Sequence, residues 1–516
     1  MKRNKGLPAM AMLVVICTGL STINAVMPPT STNKLVPEIY YVAKNGSDNN
    51  PGTEAKPFRT VSKGITALGP GDILYVRSGI YYETLTEDFP SGDSWDNPVT
   101  IAAYPGDTVT IKPNSGPYVF LFEYCHYIII DGFILDGANV ENDVIKITWE
   151  AHHIRVQNLE IKNAPGQGIL ITNHGSIDSD YNEFINLNIH NNGINDLDHG
   201  IYVSTSHNLI TSSTIHHNAG FGVHIYDEIS ENKLCSNCAN YNVVNNNLIY
   251  DNAQAGDSGP GIILSSGNYN LAYNNVIWGN NGGIQIEYKS SNAEVYNNTI
   301  YANDSYGIKI GKDGVATIIR NNIVYQNGSM AISDGGDGTT QNHNLINKNP
   351  QFVDASAHDL HLQSTSPAID TGVYLSKVPD DFDGVFRPRG SGFDLGAYET
   401  PFSIRVIDLR MDVITNTLGL TATLRWTAPL DAVTYTLRSS DVYLTEANWN
   451  DAVVIPVPFN ASVPSSIEQL STRLDYPEDA VYLALKSQNN KGNWSELSNI
   501  AFWPHQEVYL PLIIKQ

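Results

Sequence analysis

The residues best suited to chemistry gather in a few short, related stretches. Lys309 stands between two isoleucines in "SYGIKIGKDG" (305–314), Glu287 and Lys289 stand in "GIQIEYK", and Tyr202, His224, Tyr226, Asp227 and Glu228 occupy similar stretches upstream. A lysine amine can act as a base when burial and nearby cations bring it down from its ordinary pKa of about 10.4, and Lys289 and Lys312 are the neighbouring cations. Such a base suits β-elimination on a uronic acid polymer, where the proton beside the carboxylate leaves and the carboxylate itself must be neutralised. Paired acids drawn from Asp227, Glu228 and Glu287 would suit glycoside hydrolysis instead, which needs two carboxyls roughly 5 to 10 Å apart. A third possibility is a surface that binds glycans without reacting.

What could bring these residues together is a repeat. An isoleucine or valine with an asparagine three places later recurs at Ile189/Asn192, Ile215/Asn218, Ile249/Asn252, Ile277/Asn280, Ile300/Asn303 and Val324/Asn327. A glycine-aliphatic step follows each of the first five, at Gly200-Ile201, Gly222-Val223, Gly261-Ile262, Gly283-Ile284 and Gly307-Ile308. The shortest intervals between steps are 22 to 24 residues, the period of one coil in a stacked β-solenoid. In "G-I-x-I" the aliphatics point inward and x points outward. The outward ladder then reads Tyr202, His224, Ile263, Gln285, Lys309, and two places on it reads Ser204, Tyr226, Ser265, Glu287, Gly311. Asparagines at one fixed turn are expected to hydrogen-bond from coil to coil.

These repeats resemble the right-handed parallel β-helix proteins, a group rich in polysaccharide lyases, glycoside hydrolases and epimerases. The opening "YYVAKNGSDNNPGTEAKPFRTVSKGITALGPGDILYVRSGIYYE" (40–83) is similar to the N-terminal segment of that group, with an amphipathic helix near 58–68 to cap the stack. The stretch "DDFDGVFRPRGSGFDLGAYE" (380–399) is similar to the end segment of many exported bacterial β-helices. More narrowly, "YGIKIGKDG" resembles a segment of the calcium-dependent pectate lyases of polysaccharide lyase family 9, in which the lysine is the base. That resemblance implies Lys309 as base; the outward ladder itself puts Glu287 and Lys289 on coils beside it and Tyr202, His224 and Tyr226 along the same face as candidate substrate contacts, with Lys312 a further neighbouring cation. The resemblance also implies Ca2+, for which Asp227 and Glu228 are the candidate ligands. Where that family carries an acidic "DDGxD"-like step, this chain has "NNGGIQ", with Asn281, Gly282 and Gln285 at the acidic places.

The rest of the chain frames this region. Residues 1–25 have the basic start, short apolar run and small residue of a secretory signal peptide, and 26–37 form a linker. An all-β architecture is expected: a parallel β-helix over 38–400, then a β-sandwich over 401–504 resembling a fibronectin type III module, then a tail, 505–516. Cys235 and Cys238 are expected to close a small loop disulfide in an exported protein. With 30 Lys and Arg against 53 Asp and Glu, the net charge of -23 argues against nucleic acid or an anionic membrane as a bulk partner. The expectation is a secreted or cell-surface monomer whose partner is a polysaccharide, anionic by the logic of the lysine base, with a lyase as the leading reading.

Overall fold

The computed structural model describes residues 37–503 apart from 87, 175–177, 228–238, 257–258, 364, 390–391, 401–405, 417–418, 430–431, 462–465, 475–480 and 490–493. The expected signal peptide, Glu228, Cys235, Cys238 and the C-terminal tail therefore lie outside the described residues.

Three parallel sheets of twelve, eleven and nine strands, counted among the described residues, wind around one apolar core. From Phe120 to Asp334 each coil gives one short strand to each sheet, and the pairing runs from coil to coil in unbroken register. The inward aliphatics of the glycine steps, among them Ile201, Val223, Ile262, Ile284 and Ile308, are fully buried. The glycine is fixed by close approach. A Cβ on Gly283 would lie 2.3 Å from the carbonyl oxygen of Gly307 on the next coil, and one on Gly222 would lie 2.6 Å from that of Gly261.

Asparagines secure the turns. Asn192, Asn218, Asn252, Asn280, Asn303 and Asn327 form one ladder, each Nδ2 donating to the next Oδ1 at 2.8 to 3.2 Å. Each Oδ1 also accepts the preceding asparagine's backbone N–H. Two further ladders, Asn182-Asn208-Asn242-Asn270 and Asn247-Asn275-Asn298-Asn322-Asn344, repeat the device at other corners.

The N-terminal helix is shorter than the sequence predicts, Val61–Ile65, with the Thr60 side chain accepting from the Lys63 N–H as its cap. Val61, Ile65 and the following Leu68 enter the core of the solenoid, as a cap on the stack requires. The 380–399 segment packs along the outside of the coils. The Arg387 guanidinium is buried there, donating to Glu399, to the Asp394 and Gly396 carbonyls and to Asn274 Oδ1 on a coil turn. Asn297 and Asn321, the equivalent turn residues on the next coils, donate to carbonyls of Asp394, Gly396 and Val373.

Beyond residue 406 the sheets become antiparallel. One holds Arg410–Asn416, Gly419–Thr427 and Ile467–Leu474, and the other holds Val453–Ile455, Ala432–Ser440, Val481–Asn489 and Ala501–Trp503. Their inner faces share a core around Trp426, Tyr435, Leu437 and Leu483, which makes this part a β-sandwich.

Candidate active site

The nine-stranded sheet carries the site. Its outward ladder pairs Tyr202 with His224, His224 with Ile263, Ile263 with Gln285 and Gln285 with Lys309, the order that alternation predicts. A groove of about 600 Å³ runs over these strands, lined by His224, Tyr226, Ile263, Asn281, Gln285, Glu287, Tyr306 and Lys309 among others.

Lys309 comes from the strand Tyr306–Ile310 and is half-buried. Its Nζ lies 5.6 Å from the centre of the Tyr306 ring, and among the described residues no carboxylate lies within ion-pair distance of it. The Tyr306 hydroxyl donates to Gln285 Oε1, which turns the Gln285 amide so that its NH2 group remains free to donate. Burial, and then the nearby Glu287 charge, hold the Tyr306 phenol well above its ordinary range, so it keeps its proton. Glu287 is the sole carboxylate among the described residues lining the groove.

His224 is 9% exposed, and its Nδ1 lies 2.9 Å from Nε2 of His199, itself 1% exposed. Burial brings His224 down to about 3, and burial together with His224 takes His199 well below its ordinary value, so both rings are neutral. Tyr226 stacks on His224 with ring centres 5.4 Å apart. Tyr202 meets the same ring edge-on at 4.8 Å but does not line the groove.

Other expected residues sit elsewhere. Lys289 and Lys312 are exposed on turns beyond the strand ends and do not line the groove. The reason is local: Tyr288 and Lys289 both take left-handed backbone conformations (φ 49° and 61°), which ends the alternation at Glu287. Asp227 follows its strand, its N–H donating to Ser266 Oγ, and it does not line the groove. Among the described residues no three His, Cys, Asp or Glu side chains converge to hold a metal ion. The groove offers amides at Asn281 and Gln285 where the resemblance implies acids, so its donor set does not fit calcium and no step is routed through that ion.

Two residues were missed in the sequence. His199 lies in the turn before its strand, outside the alternating pattern, and its role depends on a partner one coil away. Lys146, in "DVIKIT", repeats the alternation of "GIKI" without the glycine and lies on the same outward ladder, two coils before Tyr202. It is 9% exposed, and burial lowers its amine to about 8 against the opposing charge of Asp143.

This fold and this ladder of outward polar residues define a right-handed parallel β-helix protein. A family model described as "Pel9A-like, right handed beta helix region" matches residues 40–196, and one described as "Right handed beta helix region" matches 176–349. The crystal structure of pectate lyase Pel9A superposes with a TM-score of 0.57 at 20% identity, covering 70% of this chain and 96% of that one. The uncharacterized protein YwoF of Bacillus subtilis (strain 168) is 30% identical over 136 residues, which are 24% of this chain and 28% of that protein. The match thus spans little more than a quarter of that relative's length. No helix among the described residues is long and apolar enough to cross a membrane.

Proposed function

We propose that the protein is an exported enzyme that cleaves a uronic-acid-containing polysaccharide by β-elimination, with Lys309 as the base. The observation that carries this reading is the setting of Lys309: an amine in a groove, beside an aromatic ring and without a counter-ion among the described residues, on a chain whose net charge is -23. An anionic polymer finds its local basic spot there. A sugar chain laid in the groove takes water away from the amine, and desolvation favours the neutral form that can accept a proton. Lys309 then removes the proton on the carbon next to the carboxylate, a double bond forms between that carbon and the following one, and the glycosidic C–O bond there breaks with its electron pair passing to the departing oxygen, which takes a proton from water. The free NH2 group of Gln285, one coil away, is placed to hold the carboxylate as charge builds on it. Hydrolysis by paired acids is less well supported, because Glu287 has no carboxylate partner in the described lining.

The test is incubation with polygalacturonate and with alginate, each with and without added calcium, while recording ultraviolet absorbance from unsaturated ends. The expected result is unsaturated product from the wild type and a loss of at least about a hundredfold in Lys309→Met, the scale of a removed general base. Reducing ends without unsaturation, or full activity in Lys309→Met, would overturn the reading.

A further inference from the structure

We infer that His199 is a positioning residue that locks His224 as a hydrogen-bond donor facing the groove, and that this donor holds a uronate carboxylate at a subsite about three coils from Lys309.

The protonation pattern follows from one backbone group. The Phe221 N–H donates to His199 Nδ1 at 3.0 Å, so that nitrogen carries a lone pair and the proton of the neutral His199 ring is on Nε2. His199 Nε2 faces His224 Nδ1 at 2.9 Å and must donate to it, which leaves the His224 proton on its own Nε2. Among the described residues Nε2 of His224 has no hydrogen-bond partner, although the side chain is nine-tenths buried and lines the groove. The groove is the direction left to that N–H.

The fold supports the lock on every side. A Cβ on Gly220 would come within 2.5 Å of His199 Nδ1, so the glycine is what lets the Phe221 amide reach the ring. Phe221 stacks over His199 with centres 4.4 Å apart, and Tyr202 and Tyr226 press on His224. The neighbours in ring contact are aromatic, and burial keeps both imidazoles neutral.

A neutral N–H fixed in this way accepts no proton and serves no base. It favours a negatively charged acceptor, and on a sugar chain that is a carboxylate. Coils stack about 4.8 Å apart, and His224 and Lys309 are three coils apart, so the two groups are about 14 Å from one another. The same sugar cannot touch both. His224 therefore grips a neighbouring unit of the polymer and contributes to affinity more than to the chemical step. The inference rests on the reading of the groove as a uronate site, and the experiments separate the two.

Long-range ¹⁵N–¹H spectra of the wild-type protein report the tautomer directly. The expected result is a neutral His224 with its proton on Nε2 from pH 8 down to about pH 4.5, and an Nε2 signal that shifts when a tetramer of galacturonic acid is added. A proton on Nδ1, a titration near pH 6.5, or no shift with the tetramer would overturn the inference. In His199→Leu the proton of His224 should no longer be held on Nε2, so that spectra show a mixture of the two neutral tautomers, and KM for the acidic oligosaccharide should rise about tenfold, more than kcat falls. His199→Gln, whose amide can accept from Phe221 and donate to His224, should restore most of the loss. Binding of the carboxyl-reduced, neutral oligosaccharide should not change between these variants, and equal weakening of both ligands would refute the carboxylate assignment. If no unsaturated product forms while the tautomer and the ligand-induced shift are as expected, the lyase reading falls and the subsite stands.

Discussion

Asn280→Ala tests whether the asparagine ladder holds the site in place. Asn280 Oδ1 accepts the Asn252 N–H at 3.1 Å and Asn252 Nδ2 at 3.0 Å, while its own Nδ2 donates to the Ile249 carbonyl at 3.1 Å and to the Trp278 carbonyl at 3.0 Å. The side chain is fully buried, so water cannot replace these partners. The Asn252 amide would be left without its acceptor, a penalty of about 1–3 kcal/mol, and the Ile249 carbonyl would lose a donor for about 1 kcal/mol more. A destabilisation of about 3 kcal/mol is therefore expected. Urea unfolding followed by circular dichroism measures it as a shift of the midpoint at unchanged slope. Asn280 also leads directly into Asn281 and the strand Gly282–Glu287, which carries Gln285 and Glu287, so KM should rise in the folded variant as well. The control is Asn188→Ala, at an exposed place, with a change within about 0.5 kcal/mol. A loss below about 1 kcal/mol at Asn280, or one no larger than at Asn188, would refute the reasoning.

Two further outcomes concern the segment that straps the coils. His361 lies between Asp383 (2.9 Å) and Asp359 (2.5 Å), which raise it to about 9, Asp383 being the larger cause and burial opposing. Its folded value lies above the ordinary 6.5, so this stabilisation is complete below about pH 6.5 and is lost as pH rises through about 9. The side chain is 43% exposed, so screening reduces the effect to about 1 kcal/mol, and His361→Gln should remove that pH dependence from the urea midpoint. Arg387→Met leaves Glu399 buried without its cation, and since burial already raises Glu399 to about 7 despite Arg387, a loss of about 3–5 kcal/mol is expected by the same measurement. A change below about 1 kcal/mol would show that Glu399 simply takes up a proton at little expense.

The fold was legible because a solenoid writes its geometry once per coil. The glycine steps and the Ile/Asn pairs each mark a contact between successive coils, so their spacing in sequence is their stacking in space. The outward ladder was legible for the same reason: alternation holds along a strand, and the register then carries it from coil to coil. Legibility ended where strands end. Lys289 is expected on the ladder only if alternation continues past Glu287, where the backbone turns, while Lys312 and Asp227 are expected near the site only from their closeness in sequence to its strands; none of the three lines the groove. His199 lay before its strand and could be found only through a hydrogen bond from a residue 22 positions away. The partial nature of the family 9 resemblance was legible too, since the amides at 281 and 285 are visible in the sequence and face the groove in the structure.

The ladder also sets the order in which substitutions should act. Each coil advances the outward face by about 4.8 Å, so His224, Ile263, Gln285 and Lys309 meet successive parts of any polymer that lies along the sheet. Ile263 separates the donor at His224 from the polar groups near Lys309, and it is almost fully buried, so it offers a flat apolar floor and no hydrogen bond. On the proposed function, an anionic chain would be held at two places with an apolar stretch between them, one place for grip and one for chemistry. The spacing follows from the repeat alone. A pair of substitutions at His224 and Lys309, three coils apart and without shared partners, should therefore combine additively in free energy, whereas Gln285 and Lys309, on adjacent coils and both in contact with Tyr306, should not.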